Sequence, residues 1–216
     1  MNRKKYRFND FGGKRIRHVS TSPNMTIAVL FARQDSRYKD FDLYDVYDID
    51  RDARKFDADY PVIAHPPCRA WGRLSHMANP RPDEKDLAWF ALRMVRKNGG
   101  VLEHPKGSRL WKEAVLPMPG EFPDEFGGFT ILIDQYHFGH VARKWTHLYI
   151  VGIEPKDLPE IPIRGGQPWK TICGITGQPG RRCTQYEREY TPDDLIKFLT
   201  EICLKIKGKN ETYKQI

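Results

Sequence analysis

Two side chains that could take part in catalysis each lie at the end of a short apolar run, close to proline. Cys68 closes the stretch His-Pro-Pro-Cys after the apolar residues 62–64, and Glu103 lies in Val-Leu-Glu-His. Taken singly, a cysteine is most often a small buried hydrophobe, and this glutamate could be a turn or cap residue. In an open α/β sheet, however, ligands bind at the carboxyl ends of strands. Two reactive groups at neighbouring strand ends therefore favour a shared pocket.

The segments that must position this pair follow an alternating pattern. Apolar runs predict strands at residues 26–32, 44–50, 61–65, 101–104, 130–133 and 148–151. Between the third and fourth, residues 82–98 have helical spacing, with Pro82 in the first turn and Gly99 after the last. Strand, loop, helix and strand in this order predict an α/β fold, a Rossmann-like and largely parallel sheet with crossover helices.

The chain divides into four regions by composition. We expect a flexible basic arm at residues 1–24, an α/β core at 25–153 and a loop-rich segment at 154–190, which is rich in Pro and Gly. Residues 191–207 form an apolar stripe at helical spacing, with Thr191 as N-cap and Pro192 in the first helical position. This last helix is expected to pack on the core.

The composition limits the classes of function. A 216-residue chain with 39% hydrophobic residues and no long apolar run is typical of a soluble globular protein without a membrane span. Four cysteines without a CxxC pair predict free thiols in a cytoplasm, the host's if the chain is phage-encoded. The net charge of +8 favours a polyanionic partner, although a charged arm that serves only solubility fits equally well.

Three segments resemble motifs of the cytosine-5 DNA methyltransferases. "HPPCRAWGRL" is similar to their motif IV, where Pro-Cys follows a strand, and "VLEHPKGSRLW" is similar to motif VI, where a strand ends in glutamate. "DQYHFGHVARKWTHLYIVG" resembles motif VIII, where a basic pair precedes a terminal strand. They cover residues 63–152 in the family's order, and the chain as a whole resembles short phage-type members. The resemblance implies a reduced methyltransferase fold.

The resemblance also implies a reaction at carbon 5 of a pyrimidine, with cytosine as the base. Cys68, as thiolate, would add to carbon 6 and make carbon 5 nucleophilic toward a one-carbon donor. Glu103 would hydrogen-bond the ring nitrogen and the exocyclic group. The partner would be a nucleic acid, DNA first, or a pyrimidine nucleotide, and a base in duplex DNA would have to be flipped out.

Basic side chains complete this expected site. By resemblance, Arg143 would hold the carbonyl oxygen of the base or a phosphate, together with Lys144. A free thiol is mostly protonated at neutral pH, so Cys68 needs a neighbouring positive charge to ionise. Arg69 and Arg73 are the candidates for that charge and for further phosphate contacts.

The resemblance further implies S-adenosylmethionine as cofactor. Phe31 and Ala32 match the start of the family's first motif, Pro66 belongs to motif IV, and Asp48 or Asp50 would bind the ribose. The glycines that normally follow in that first motif are absent, and glycine is what permits close backbone approach to a ligand. The altered loop therefore either blocks this cofactor or requires a different one.

Two other functions fit parts of the sequence. The first is a nucleic-acid-binding protein that retains the base pocket of a methyltransferase fold without its cofactor. Replacement of the motif I glycines favours it, whereas retention of both Cys68 and Glu103 does not. The second is a zinc protein, with His65 and Cys68 in one loop and His137 and His140 in another as four potential ligands.

Overall fold

A six-stranded sheet forms the centre of the part of the chain that the computed structural model describes, residues 25–72, 75–172 and 182–206. The spatial order is β2-β1-β3-β4-β6-β5. The first four strands in this order are parallel, and β6 runs antiparallel to both of its neighbours. The strands are Ile27–Leu30 (β1), Tyr44–Tyr47 (β2), Val62–Ala64 (β3), Gly100–Pro105 (β4), Phe129–Asp134 (β5) and Trp145–Val151 (β6). The predicted α/β fold with a mainly parallel sheet is confirmed, and the sheet is mixed.

Helices cover both faces of this sheet. The four described α-helices are Glu84–Asn98 (α1), Leu110–Glu113 (α2), Gln185–Glu189 (α3) and Asp193–Leu204 (α4). α1 and α4 both pack on β3 and β4, and their apolar residues belong to two separate core clusters. Alternate residues of each central strand supply the two clusters, as the period-two geometry of a strand requires.

Strand β1 shows this alternation most simply. Ile27 and Val29 pack in the cluster that contains α4, whereas Ala28 and Leu30 pack in the cluster that contains α1. All four residues are fully buried. A strand buried on both faces reads as a continuous apolar run, which is why the sequence predicted it.

The connections between the parallel strands are shorter than expected. Among the described residues, α1 is the one α-helix that crosses between two parallel strands, from β3 to β4. β1 reaches β2 through a 3-10 helix at Arg37–Asp40, and β2 reaches β3 through another at Ala53–Lys55. The expectation of several crossover helices is therefore met only once.

Two boundaries near the carboxyl end differ from the prediction. Pro192 is the N-cap of α4 instead of its first helical residue, and the helix starts at Asp193. Helix α3 lies inside the segment predicted to be loop, and Thr184 and Glu187 form a capping box at its start. The basic arm at residues 1–24 lies outside the described residues. No helix in the described ranges has the length and apolar character that a membrane span requires.

Candidate functional site

A cleft of about 710 Å³ opens at the carboxyl ends of the parallel strands. β1 pairs with β2 on one side and with β3 on the other, so the chain changes direction along the sheet at this point. Ligands of open α/β sheets bind at such a switch point. The cleft is lined by eight of the residues expected from the sequence: Phe31, Ala32, Asp48, Pro66, Cys68, Arg69, Glu103 and Lys144.

Cys68 is held at the cleft by a tight turn after β3. Its backbone carbonyl accepts hydrogen bonds from the N–H groups of Trp71 and Gly72, both at 3.0 Å. The Trp71 ring is fully buried and packs edge-on against Trp89 of α1, with ring centroids 6.1 Å apart. The turn is therefore anchored to the helix, while the Cys68 residue itself is exposed.

Two donors from different elements hold the carboxylate of Glu103. His65 Nδ1 lies 3.2 Å from Oε2, and Gln135 Nε2 donates to Oε1 at 3.0 Å. Gln135 also donates to Thr146 Oγ1 at 3.0 Å, which fixes the orientation of its amide. The Glu103 side chain is only 12% exposed, so these two hydrogen bonds fix the orientation of its carboxylate in the cleft.

The other ring nitrogen of His65 contacts a buried phenol. Its Nε2 lies 3.3 Å from the hydroxyl of Tyr38, and Tyr38 is buried in the core. With the proton on Nδ1, the ring donates to Glu103 and accepts from the Tyr38 hydroxyl. Burial raises the pKa of Tyr38 well above its usual range, so this phenol stays protonated.

The electrostatics of the cleft couple Cys68 to Glu103. Desolvation by the surrounding protein, followed by the negative charge of Glu103, raises the pKa of the Cys68 thiol, and Lys144 opposes this rise. The Cys68 residue is accessible to solvent, but the surrounding protein atoms still desolvate its thiol. Burial alone would raise the pKa of Glu103, but Lys144 and the hydrogen bond from His65 outweigh it and lower that pKa to about 2. Glu103 is therefore ionised, and Cys68 is protonated at neutral pH.

The expected arginines are engaged elsewhere. Arg69 lines the cleft, but its Nε and Nη2 donate to Glu84 at 3.0 and 2.6 Å, and Glu84 is fully buried. Arg143 does not line the cleft, and its guanidinium donates to the buried Asp134 at 2.9 Å. Arg73 lies outside the described residues. Lys144 is thus the cation that this structure places beside Glu103.

The cofactor half of the cleft does not fit S-adenosylmethionine. Asp48 accepts from the backbone N–H groups of Asp50 and Arg51 at 2.9 and 3.0 Å, and its other oxygen pairs with Lys39. Its side chain is 7% exposed, so a ribose would have to displace Lys39. Asp50 does not line the cleft and accepts instead from Gln34 Nε2 at 2.9 Å. The residues expected to bind the ribose are therefore occupied.

The loop after β1 has larger side chains where a cofactor-binding turn would have glycine. Phe31 lines the cleft with a backbone φ of 62°, a left-handed conformation that glycine adopts without strain. Arg33 follows, and its guanidinium donates to both oxygens of Asp35 and stacks 4.5 Å over the ring of Tyr186. A charged side chain that lines the cleft thus stands where motif I of the cytosine-5 methyltransferases, which this segment only resembles, has glycine.

The residues expected to bind zinc do not come together. No group of three or more His, Cys, Asp or Glu side chains that could hold a metal ion occurs in the described ranges. His140 Nε2 donates to the carbonyl of Glu187 at 2.8 Å, and its Nδ1 accepts from the N–H of Ala142 at 3.0 Å. His137 Nδ1 accepts from the N–H of Arg164 at 3.0 Å. Both rings have structural partners.

Comparison with known proteins adds no assignment. The chain has no match among protein-family models, curated proteins or solved structures. The likeness to cytosine-5 methyltransferases therefore rests on the three sequence motifs.

Sequence reasoning missed the residues that surround Glu103. The sequence marks His65 only as a potential metal ligand, and it does not single out Tyr38 or Gln135. The available signal was position, since His65 directly follows β3 and Gln135 directly follows β5.

Proposed function

We propose that the chain is a thiol-dependent enzyme that activates carbon 5 of a pyrimidine, in a reduced methyltransferase-like, Rossmann-like fold. One observation carries the proposal: Cys68 follows β3, Glu103 lies near the carboxyl end of the neighbouring parallel strand β4, and both line the same cleft. A nucleophile and an oriented carboxylate in one cleft are the two groups that addition to a pyrimidine ring needs.

The reaction begins with addition of the Cys68 thiolate to carbon 6. The sulfur electron pair forms the S–C6 bond, the C5–C6 double bond shifts to C4–C5, the N3–C4 π pair moves onto ring nitrogen 3, and nitrogen 3 takes a proton. Carbon 5 is then an enamine-like nucleophile that attacks an electrophilic one-carbon donor, whose leaving group departs with its bonding pair as the N3–C4 double bond re-forms. Loss of the protons on nitrogen 3 and carbon 5 and expulsion of the thiolate restore the ring. Glu103 lies where it can hydrogen-bond the N3 and exocyclic edge during addition.

The donor is not assigned to S-adenosylmethionine. The paired Asp48 and the substituted loop at Phe31 and Arg33 are unsuited to it, so no step is derived through that cofactor. The proposal concerns the base half of the cleft, which Cys68, Glu103 and Lys144 line.

The proposed substrate is the base of a nucleic acid or a pyrimidine nucleotide. Lys144 lines the cleft, where its charge acts on Glu103, and from that position its ammonium can contact a phosphate or a carbonyl oxygen. Residues 1–24 contain seven Lys and Arg residues and one acidic residue, Asp10. They therefore contribute six of the eight net positive charges of the chain. Phosphate contacts of that arm favour a polynucleotide over a free nucleotide.

Exchange of the hydrogen on carbon 5 with solvent tests the proposal without any donor. Thiolate addition makes carbon 5 basic, so it takes up deuterium from D₂O, and elimination then returns labelled cytosine. We expect mass spectrometry to show exchange with the wild-type protein and a single-stranded cytosine oligonucleotide. Cys68→Ser should abolish it, and Cys183→Ser, a change at a buried cysteine, should leave it intact. No exchange by the wild-type protein would refute the proposal.

A base-binding protein without chemistry is the second candidate. The occupied Asp48 and the charged loop at Arg33 favour it, because a chain that has lost its donor site retains only the base pocket. It predicts binding of the oligonucleotide without exchange, and binding that survives Cys68→Ser.

A further inference from the structure

We propose that His65 supplies, through Glu103, the proton that ring nitrogen 3 takes up when Cys68 adds. This inference rests on the proposed function and extends it to the source of a proton. The structural basis is a continuous contact chain: Tyr38 hydroxyl, His65 Nε2 and Nδ1, and Glu103 Oε2, with separations of 3.3 and 3.2 Å.

A count of protons shows why a source is needed. Neutral cytosine presents an acceptor at nitrogen 3, and an ionised carboxylate is also an acceptor only. The two cannot hydrogen-bond unless one proton enters between them. As the thiolate adds, negative charge develops on nitrogen 3, so its demand for that proton increases in the transition state.

The contacts of Glu103 leave one titratable donor. Gln135 and His65 are the two side chains that hydrogen-bond its carboxylate within the described residues, and an amide does not titrate near neutral pH. Lys144 acts on Glu103 through its charge and has no hydrogen bond to it there. His65 is therefore the side chain that can donate a proton directly to Glu103.

The transfer balances without an outside reagent other than solvent protons. Protonated His65 gives its Nδ1 proton to Glu103, and Glu103 passes a proton to nitrogen 3 as the S–C6 bond forms. Glu103 returns to the carboxylate, and His65 becomes neutral with its remaining proton on Nε2, directed at the Tyr38 oxygen. Tyr38 does not itself supply the proton, because burial keeps its hydroxyl protonated. It accepts from the imidazolium.

The groups around this chain set its pH response. Tyr38 comes from the 3-10 helix Arg37–Asp40, Glu103 from β4 and Lys144 from the loop before β6. Glu103 brings a negative charge to this contact chain, and Lys144 brings a positive one. His104, the next residue on β4, has its pKa lowered by burial to about 4 and is neutral in the working range.

The pH profile of carbon 5 exchange tests the relay. Exchange requires the Cys68 thiolate and the His65 imidazolium together, and these two forms respond to pH in opposite directions. In the wild-type protein the rate should rise with pH up to a break, where loss of the imidazolium begins to offset the gain of thiolate. Above that break the rate should stay level, because gain of thiolate and loss of imidazolium cancel. It should fall once Cys68 is fully ionised.

His65→Asn separates proton supply from positioning. An asparagine amide can place an N–H near the position of Nδ1 and so hold Glu103, but it does not titrate. We expect the break to disappear in this variant. Its rate at pH 6 should be at least tenfold lower than that of the wild-type protein. It should continue to rise tenfold per pH unit until Cys68 is ionised. His65→Ala should lose the break and, because Glu103 is released, also be slower than His65→Asn at every pH.

The outcomes distinguish this inference from the function on which it rests. A wild-type profile with a break that His65→Asn retains would overturn the relay and leave thiolate addition standing. No exchange at any pH would overturn both. If His65→Asn does not fold, Tyr38→Phe provides the test, because loss of the hydroxyl that accepts from the imidazolium should move the break to lower pH. An unmoved break would overturn the relay.

Discussion

Lys39 forms an ion pair with Asp48, and the same carboxylate accepts from the backbone N–H groups of Asp50 and Arg51. The pair closes the place where a ribose would bind in a dinucleotide-binding sheet. A residue that the sequence offers as a cofactor ligand is therefore, in the structure, a support for the loop after β2.

The ion pair predicts a pH-dependent contribution to stability. The hydrogen bond from Lys39 lowers the pKa of Asp48, so its stabilisation is present above the unfolded-state pKa and is lost as pH falls through the folded value. Lys39→Met should cost about 1 kcal/mol at pH 7, because Lys39 is partly exposed and screened. Urea unfolding at pH 7 and pH 3 measures this. A difference equally large at pH 3 would contradict it.

Arg69 is predicted to act in stability and not in thiol activation. Arg69→Met leaves the fully buried carboxylate of Glu84 without its bidentate partner; because the Arg69 side chain is 52% exposed, we expect the fold to lose about 2 kcal/mol. Arg93→Met, on the exposed side of α1, the helix that carries Glu84, is the matched control and should change stability by less than about 0.5 kcal/mol. Equal unfolding midpoints for the two variants would contradict a stabilising role of the Arg69–Glu84 pair.

The reactivity of Cys68 should respond in opposite directions to its two charged neighbours. Glu103→Gln removes the negative charge that raises the thiol pKa, so alkylation by iodoacetamide at pH 8 should become faster by about twofold to tenfold. Lys144→Met removes the opposing positive charge and should slow it. Mass spectrometry of the Cys68 peptide distinguishes this thiol from the others. Changes of the same sign in both variants would show that the coupling is wrongly assigned.

The basic arm is predicted to control salt-dependent affinity for nucleic acid. Substitution of the seven Lys and Arg side chains in residues 1–24 by Gln should reduce the slope of log K against log salt by about 0.7 for each phosphate of a single strand that the arm no longer neutralises. Fluorescence anisotropy with a single-stranded oligonucleotide measures the slope. Substitution of the exposed Lys55, Lys112 and Lys156 is the control and should leave it unchanged. An unaltered slope in the arm variant would place the phosphate-binding side chains elsewhere.

The sequence predicted the elements of the fold well because burial imposes periodicity. β1 and α1 have apolar patterns that the structure explains by two-sided and one-sided burial. Helix α3 was missed because its five residues are too few to show a period, although the Thr184 and Glu187 capping box marks its start. Local pattern predicts where elements lie better than how they are joined.

Less of the candidate site could be read from the sequence. The positions of Cys68 and Glu103 follow from strand ends, which periodicity reveals. The partners of Arg69, Arg143 and Asp48 do not, because each ion pair joins residues that the fold brings together through geometry that no spacing shows. His65 illustrates both limits, since its position was visible and its contact with Glu103 was not.

Covalent trapping tests the central claim most directly. A pyrimidin-2-one base lacks the 4-amino group, which leaves carbon 6 more electrophilic, so a thiolate should add to it without any donor. We expect intact-mass spectrometry at pH 8.5 to show the wild-type protein carrying one single-stranded oligonucleotide that contains this base. Peptide mapping should locate the bond at Cys68, and Cys68→Ser should form no adduct. Absence of an adduct from the wild-type protein, or attachment at another cysteine, would contradict the assignment of Cys68 as the nucleophile of this cleft.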